Sequence, residues 1–166
     1  MTMTLIETIT VGSGGVASME FTGIPGDLGK DLLVLISGQV LSGGMNIDMR
    51  LNNNTSTIYP MEKLAATEIS TVGSSFNSNK FLLQAAGNPV SWGAFSNAQV
   101  YISNYAANLH KSVSVEAVNE NNASTAFVEF YAGTFESTAA ITSIQLLADG
   151  GNNIGQHSTA SLYSIS

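Results

Sequence analysis

The sequence predicts an all-β protein, a single antiparallel β-sandwich of about ten strands with jelly-roll or Greek-key topology. Short segments of alternating polar and apolar side chains recur along the 166 residues, and clusters of Gly, Asn, Ser or Pro separate them. This regular spacing of strand and turn signals is typical of β-sandwiches and barrels. Only one segment has a helix-like composition, and no linker divides the chain. We therefore expect one domain over residues 1–166.

The first half of the chain contains four predicted strands. Residues 4–11 alternate, Gly-Ser-Gly-Gly at 12–15 predicts a turn because glycine adopts positive φ without penalty, and residues 16–22 resume the alternation. Residues 31–41 are nearly all apolar, which indicates a central strand covered on both faces or one that crosses from core to interface. The fourth strand has the clearest alternation, with its polar side expected to face water and these side chains in the core: Met45, Ile47, Met49 and Leu51.

The second half begins with a weaker pattern. Residues 60–67 have a helix-like composition, and the pattern leaves open whether they form a short helix or an irregular excursion. Residues 70–80 contain few apolar side chains and predict an exposed loop. Alternation and turn signals then predict six further strands, at residues 81–86, 98–105, 112–118, 125–133, 140–148 and 158–165.

Charge and composition exclude several classes of function. Five Lys and Arg stand against 12 Asp and Glu, for a formal net charge of −7, so the chain cannot build the basic patch that binds nucleic acid. The chain has no cysteine, which excludes disulfides and thiolate zinc sites. The longest apolar run, residues 32–36, is far shorter than the ~20 residues of a membrane-spanning helix. The N-terminus does not resemble a signal peptide, so we expect synthesis in the cytoplasm and no membrane partner.

The sequence contains no constellation typical of an enzyme or a metal site. His110 and His157 have no partner at metal-ligand spacing and are expected at the surface. The Asp-Gly-Gly-Asn-Asn stretch at 149–153 offers oxygens to calcium but too few carboxylates for a calcium loop. Two acidic pairs could in principle serve a glycosidase but lie at strand edges or turns, where acids solvate the surface: Glu116 with Glu120, and Asp27 with Asp31. We expect no enzyme activity, no cofactor and no metal.

Six apolar residues are candidate contacts with other subunits. Those near the N-terminus, Met1, Met3 and Leu5, belong either to a frayed end or to an arm inserted into a neighbour. The aromatic candidates either anchor an interface, stack on a sugar, or plug one end of the sandwich. The six residues are Met1, Met3, Leu5, Tyr59, Trp92 and Phe95.

Three blocks of the sequence together carry a family resemblance. They are TLIETITVGSGGVASMEFTGIP at 4–25, SNAQVYISNYAANLHKSVSVEAVNENN at 96–122, and 132–165 with AGTFESTAAITSIQLL and STASLYSI. This pattern resembles a group of small virion proteins of tailed phages that infect marine and freshwater bacteria. Their ends run as an Ala-Ile-Thr-Ser-Ile strand and a Ser-rich strand closing in Leu-Tyr-Gly-Ile. Here Ser164 replaces the usual glycine, and Phe135 stands where tryptophan is common.

The resemblance implies a non-enzymatic structural protein of a virion. The expected function is capsid decoration, as a cement protein on the capsid surface that binds the major capsid protein or another virion subunit. Copies of the chain are expected to assemble with one another, and a trimer would suit the local three-fold positions of a capsid. The alternative is a tail fibre, or a receptor-binding or carbohydrate-binding module that grips a host glycan through the loop around Trp92.

Overall fold

The computed structural model describes residues 2–41, 46–67, 70–84, 86–87, 94–120 and 126–166. A single 3₁₀ turn, Asp149–Gly151, is the only helical element in these ranges. The strands are β1 (Met3–Thr10), β2 (Ser18–Thr22), β3 (Asp31–Val40), β4 (Asn46–Leu51), β5 (Tyr59–Thr67), β6 (Ser70–Ser78), β7 (Phe81–Gln84), β8 (Ala86–Gly87), β9 (Ser96–Ile102), β10 (Lys111–Glu120), β11 (Ala126–Phe135), β12 (Ser143–Ala148) and β13 (Thr159–Ile165).

Twelve of these strands form two antiparallel sheets that enclose one core. The large sheet has the order β1-β13-β3-β9-β10-β11-β5-β6, and the small sheet has the order β2-β12-β4-β7. The short β8 pairs in parallel with β3. When the β5–β6 and β10–β11 hairpins are set aside, the two sheets read β1-β13-β3-β9 and β2-β12-β4-β7, the strand order of an eight-stranded jelly roll. The predicted β-sandwich is confirmed, and its topology is the jelly-roll one.

The core between the sheets is filled by alternate side chains of facing strands. Burying each large aliphatic side chain contributes about 1.5–3 kcal/mol relative to leaving it in water. Fully buried examples are Leu32 and Val34 from β3, Val100 and Ile102 from β9, Leu146 from β12 and Leu162 from β13.

The alternation along β4 is confirmed on its apolar side. Ile47, Met49 and Leu51 are all buried, and Met45 lies outside the described residues. On the polar side Asp48 departs from the prediction, because it is only 5% exposed although it points away from the core.

Two segments form strands against expectation. β5 covers the segment predicted as a short helix or an irregular excursion, and β6 covers most of the predicted loop at 70–80. Met, Glu, Lys, Leu and Ala in β5 favour a helix locally, but β5 pairs with β11 on one side and β6 on the other, and these ladders override that preference. β6 ends the sheet and needs few apolar side chains. Both predictions are therefore wrong.

The predicted glycine turn after β1 is confirmed. Gly14 and Gly15 have φ angles of 89° and 72°. A Cβ atom at Gly15 would lie 2.6 Å from the carbonyl oxygen of Ile154, so a side chain there would clash with backbone. This close approach lets Val16 and Ile154 exchange two backbone hydrogen bonds, of 3.0 and 2.7 Å. The turn thereby joins the start of the chain to the loop before β13.

Candidate functional site

The large sheet has one face toward the core and the small sheet, and its outer face carries exposed apolar side chains. Successive side chains of a strand point to opposite faces, so every other residue of β5, β10 and β11 points outward. Leu64 and Phe130 stand directly opposite each other there and are 51% and 46% exposed. Beside them, Val118, Val128 and Ala66 form a half-buried row across β10, β11 and β5. We call these five residues the outer patch.

The same face carries half-buried apolar and aromatic side chains toward its other edge. The strand register places Tyr163, Leu33 and Tyr101 side by side across β13, β3 and β9. The Tyr101 hydroxyl donates a 2.5 Å hydrogen bond to the Asp31 carboxylate, and this bond raises the pKa of Tyr101. The backbone N–H of Asn104 donates to the other Asp31 oxygen at 2.8 Å. Asp31 therefore fixes the turn after β9 and is not a free carboxylate.

Among the residues that the structure describes, three shallow cavities open on this face. The largest, of about 520 Å³, lies along β5, β6 and β11 and is lined in part by Pro60 and Phe76. A second, of about 270 Å³, lies across β3, β9 and β13. The third, of about 200 Å³, lies among Tyr101, Glu116 and Phe130. A broad sheet face with apolar side chains and shallow depressions suits another protein surface better than a small ligand, which binds in a deeper cleft.

The β1 strand forms an exposed edge of the large sheet. Among the described strands it pairs with β13 alone, so its other side presents backbone groups that a further strand could pair with. Met3 and Leu5 project from β1 and are 54% and 52% exposed. The register shifts between Leu5 and Glu7, and this bulge directs Ile6 toward the core. The predicted contact residue Met1 lies outside the described residues.

The aromatic contact candidates have different environments. Tyr59 is fully buried, where its ring packs edge-on against Phe81 with 5.1 Å between centroids and its hydroxyl donates to the Asn54 carbonyl at 3.0 Å. Tyr59 therefore plugs one end of the core, which is one of the three alternatives left open for the aromatic candidates, and its side chain does not reach the surface as an interface contact would. Phe95 is half-buried just before β9, and Trp92 lies outside the described residues.

A buried lysine at the start of β10 was missed by sequence reasoning. The Lys111 side chain is fully buried, and its ammonium donates hydrogen bonds to the carbonyl oxygens of Ala107, Leu109 and Ser137 at 2.7, 2.5 and 3.2 Å. Burial lowers the pKa of Lys111. The residue shares the inward parity of Val113, which is the signal that could have revealed it. Lys111 ties the β9–β10 loop to the segment after β11.

A buried carboxylate lies on the inner side of the β5 and β11 pair. Glu129 is 2% exposed, pairs with the Lys63 ammonium and accepts a hydrogen bond from the Tyr131 hydroxyl. Burial, followed by the hydrogen bond and the negative charge of Glu129, raises the pKa of Tyr131. Two partners therefore engage this carboxylate within the fold, and it has almost no contact with solvent.

The other titratable candidates are dispersed at the surface. His110 and His157 are exposed in different turns, and Glu116 is exposed on β10. In the part of the chain that the structure describes, no three His, Cys, Asp or Glu side chains come together in a group that could hold a metal ion. The described residues also include no helix long and apolar enough to cross a bilayer.

Neither models of known protein families nor curated proteins match the sequence. The geometry alone therefore selects the candidate site, which consists of the outer patch and the open edge of β1.

Proposed function

We propose that this protein is a non-enzymatic structural protein of a tailed-phage virion, a decoration protein that binds the capsid shell. The observation that carries the proposal is the outer patch, where Phe130 and Leu64 leave about half of their side chains in water. Full burial of a large apolar side chain is worth about 1.5–3 kcal/mol, so a partner that covers the pair gains a substantial part of that energy. Contiguous exposed apolar patches accordingly mark contact surfaces.

The open edge of β1 supplies a second means of assembly. Its unpaired backbone groups can accept a strand from a neighbour, and Met3 and Leu5 provide apolar contacts beside them. In the proposed assembly the outer patch joins copies of the chain and β1 binds the major capsid protein or another shell subunit. Identical chains usually form closed symmetric assemblies, and a trimer suits the local three-fold positions of an icosahedral shell.

Three further observations support this proposal. The buried carboxylates Asp31 and Glu129 are each engaged by hydrogen-bond partners within the fold. The net charge of −7 opposes binding to nucleic acid. The blocks at 4–25, 96–122 and 132–165 resemble virion proteins of tailed phages.

Copy number in purified particles tests this proposal. Quantitative mass spectrometry should find hundreds of copies per particle, in a fixed ratio to the major capsid protein. A handful of copies confined to the tail would overturn the capsid assignment and favour the tail-fibre alternative.

A separate assay tests the non-enzymatic part of the proposal. We expect the purified protein to leave polysaccharide and peptidoglycan substrates intact. Turnover that disappears in the Glu116→Gln or Glu129→Gln variant would contradict it.

A further inference from the structure

The edge of the large sheet opposite β1 is formed by β6. Among the described strands β6 pairs with β5 alone, residue for residue, from Ser70 opposite Thr67 to Ser78 opposite Tyr59. Every other residue of an antiparallel edge strand points its backbone N–H and C=O groups away from the sheet. Over its nine residues β6 therefore presents a row of such groups ~30 Å long.

β6 lacks the features that protect edge strands from pairing with other chains. Edge strands are usually blunted by charged side chains, by proline, by a β-bulge or by shortness. Among the described strands, the other three edges have such features: β1 has a bulge and Glu7, β2 has five residues and Glu20, and β7 has four residues. β6 has nine residues, no charge, no proline and a continuous register. Of these four edges, β6 is the one most open to a further strand.

The sequence of β6 is complementary to itself. Two antiparallel copies of Ser-Thr-Val-Gly-Ser-Ser-Phe-Asn-Ser pair over all nine residues when a two-fold axis passes through Ser74. Val72 then stands opposite Phe76 of the second copy, and the remaining pairs join only Gly, Ser, Thr and Asn. A directly opposed aromatic and β-branched pair stabilises an antiparallel ladder, and no like charges meet because β6 has none.

Only this register both pairs the whole strand and brings its two apolar residues together. An axis at Gly73 or Ser75 places Val72 and Phe76 opposite serines. An axis at Val72 or Phe76 pairs only five residues. The match about Ser74 favours a second copy of this chain as the partner of β6.

We propose that β6 is a docking edge for β6 of a second copy of the chain, paired antiparallel about a two-fold axis at Ser74. Gly73, Ser74 and Ser75 are exposed, so the centre of the strand is accessible. The contact is weak, because hydrogen bonds between exposed backbone groups replace bonds to water and association costs freedom of motion. At micromolar concentration it is transient and does not by itself hold two copies together.

The place of this contact in an assembly rests on the proposed capsid function. Where the outer patch holds copies together on a shell, neighbouring oligomers lie side by side at high effective concentration, and β6 pairs can join them. The pairing itself requires no capsid and can be detected with the purified chain.

Disulfide trapping tests the proposal, and the absence of native cysteine makes the assay specific. The axis brings the two Ser74 Cα atoms to ~4.5–5.5 Å, within the range of a disulfide. The two Ser75 positions are diagonal neighbours ~7–8 Å apart, which is too far. Under mild oxidation the full chain with Ser74→Cys should form a covalent dimer about tenfold faster than the chain with Ser75→Cys. Ser75 is the matched control because it is also exposed on β6.

Further variants separate this contact from others. In the Leu64→Ser, Phe130→Ser background, which disrupts the outer patch, Ser74→Cys should still crosslink faster than Ser75→Cys. Adding Ser75→Lys to the Ser74→Cys chain should slow crosslinking several-fold, because it places two like charges near the axis. Ser13→Lys adds the same charge at an exposed position in the turn after β1 and should have no effect.

Three results would overturn the proposal. Equal rates for Ser74→Cys and Ser75→Cys would mean that the crosslinks come from random collisions. Equally fast crosslinking of Ser74→Cys to a chain with Thr4→Cys would pair β6 with the β1 edge of another copy. Loss of the crosslink in the Leu64→Ser, Phe130→Ser background would assign it to the outer patch. None of these results changes the copy number in particles, so the capsid proposal is tested separately.

Discussion

Leu64 and Phe130 stand opposite each other on β5 and β11, and each leaves about half of its side chain in water. A directly opposed apolar pair of this kind stabilises an antiparallel ladder by roughly 0.2–1 kcal/mol. Burial against a second surface would contribute more than the pairing itself. The pair therefore contributes to the fold within one chain and is available for assembly between chains.

Replacing both residues by serine should abolish self-association while the fold persists. The Leu64→Ser, Phe130→Ser variant loses a half-exposed pair, so its free energy of unfolding should fall by only about 1–2 kcal/mol. Analytical ultracentrifugation should show a shift from oligomer to monomer. Leu109→Ser is the matched control, since Leu109 is 63% exposed in the β9–β10 loop, and this variant should remain oligomeric. An oligomeric double variant would show that the outer patch is not the contact between copies.

Deleting residues 1–3 should weaken binding to capsids more than it lowers the melting temperature. The deletion removes Met3 and the two backbone hydrogen bonds, of 2.7 and 3.0 Å, that Thr2 exchanges with Ser166. Leu5→Ser is the sharper variant because it leaves these bonds in place. Cosedimentation with particles that lack the protein measures the binding. Full binding by both variants would remove β1 from the proposed contact with the shell.

Placing a charge at Met49 should destabilise the protein strongly. Met49 is fully buried in the core, so Met49→Asp buries a carboxylate without a partner and should cost about 3–5 kcal/mol. Urea denaturation measures the change. Met49→Leu keeps volume and polarity and should cost less than about 1.5 kcal/mol. If the aspartate variant melted within a degree or two of the parent, this side of β4 would not face the core.

Removing the Lys111 ammonium should destabilise the β9–β10 loop. Lys111→Met leaves three carbonyl oxygens without their donor, and we expect a loss of about 2–4 kcal/mol in the free energy of unfolding. Lys30→Met, at an exposed position, is the control and should lie within about 0.5 kcal/mol of the parent. Equal stability of the two variants would mean that the buried ammonium contributes nothing.

The contribution of Asp48 to stability should depend on pH. Burial raises the pKa of Asp48 above 3.8, and it outweighs the lowering effect of Lys80; Asp149 raises this pKa further and Arg50 lowers it. The folded state therefore holds the proton more tightly than the unfolded chain. Protonated Asp48 therefore stabilises the folded state relative to the unfolded chain. This stabilisation is fully present below pH 3.8 and is lost as the pH rises through the folded-state pKa of Asp48.

Comparison with Asp48→Asn isolates this effect, since the other carboxylates titrate in both proteins. The unfolding free energy of the parent minus that of the variant should fall as the pH is raised from ~3 to ~7. Urea denaturation across this range measures the difference. A difference that rises with pH would mean that the ion pair with Lys80 outweighs burial.

The sequence by itself determined the class of fold and much of its core. Alternation in β4 places Ile47, Met49 and Leu51 inside because a strand has a side-chain period of two. The turn at 12–15 follows from the conformational freedom of glycine, a property of the residue itself. The net charge and the absence of cysteine likewise follow from the sequence alone.

Only the tertiary structure decided what lies opposite each of these strands. β5 is a strand because its neighbours in the sheet satisfy its backbone, although its residues favour a helix. Asp48 stands on the polar side of β4, yet Lys80 and Asp149, distant in sequence, close over it. Tyr59 sits in a segment with a weak strand pattern and is buried by Phe81 and Phe135. Local periodicity reports which way a side chain points, whereas burial depends on long-range pairing that brings distant segments against it.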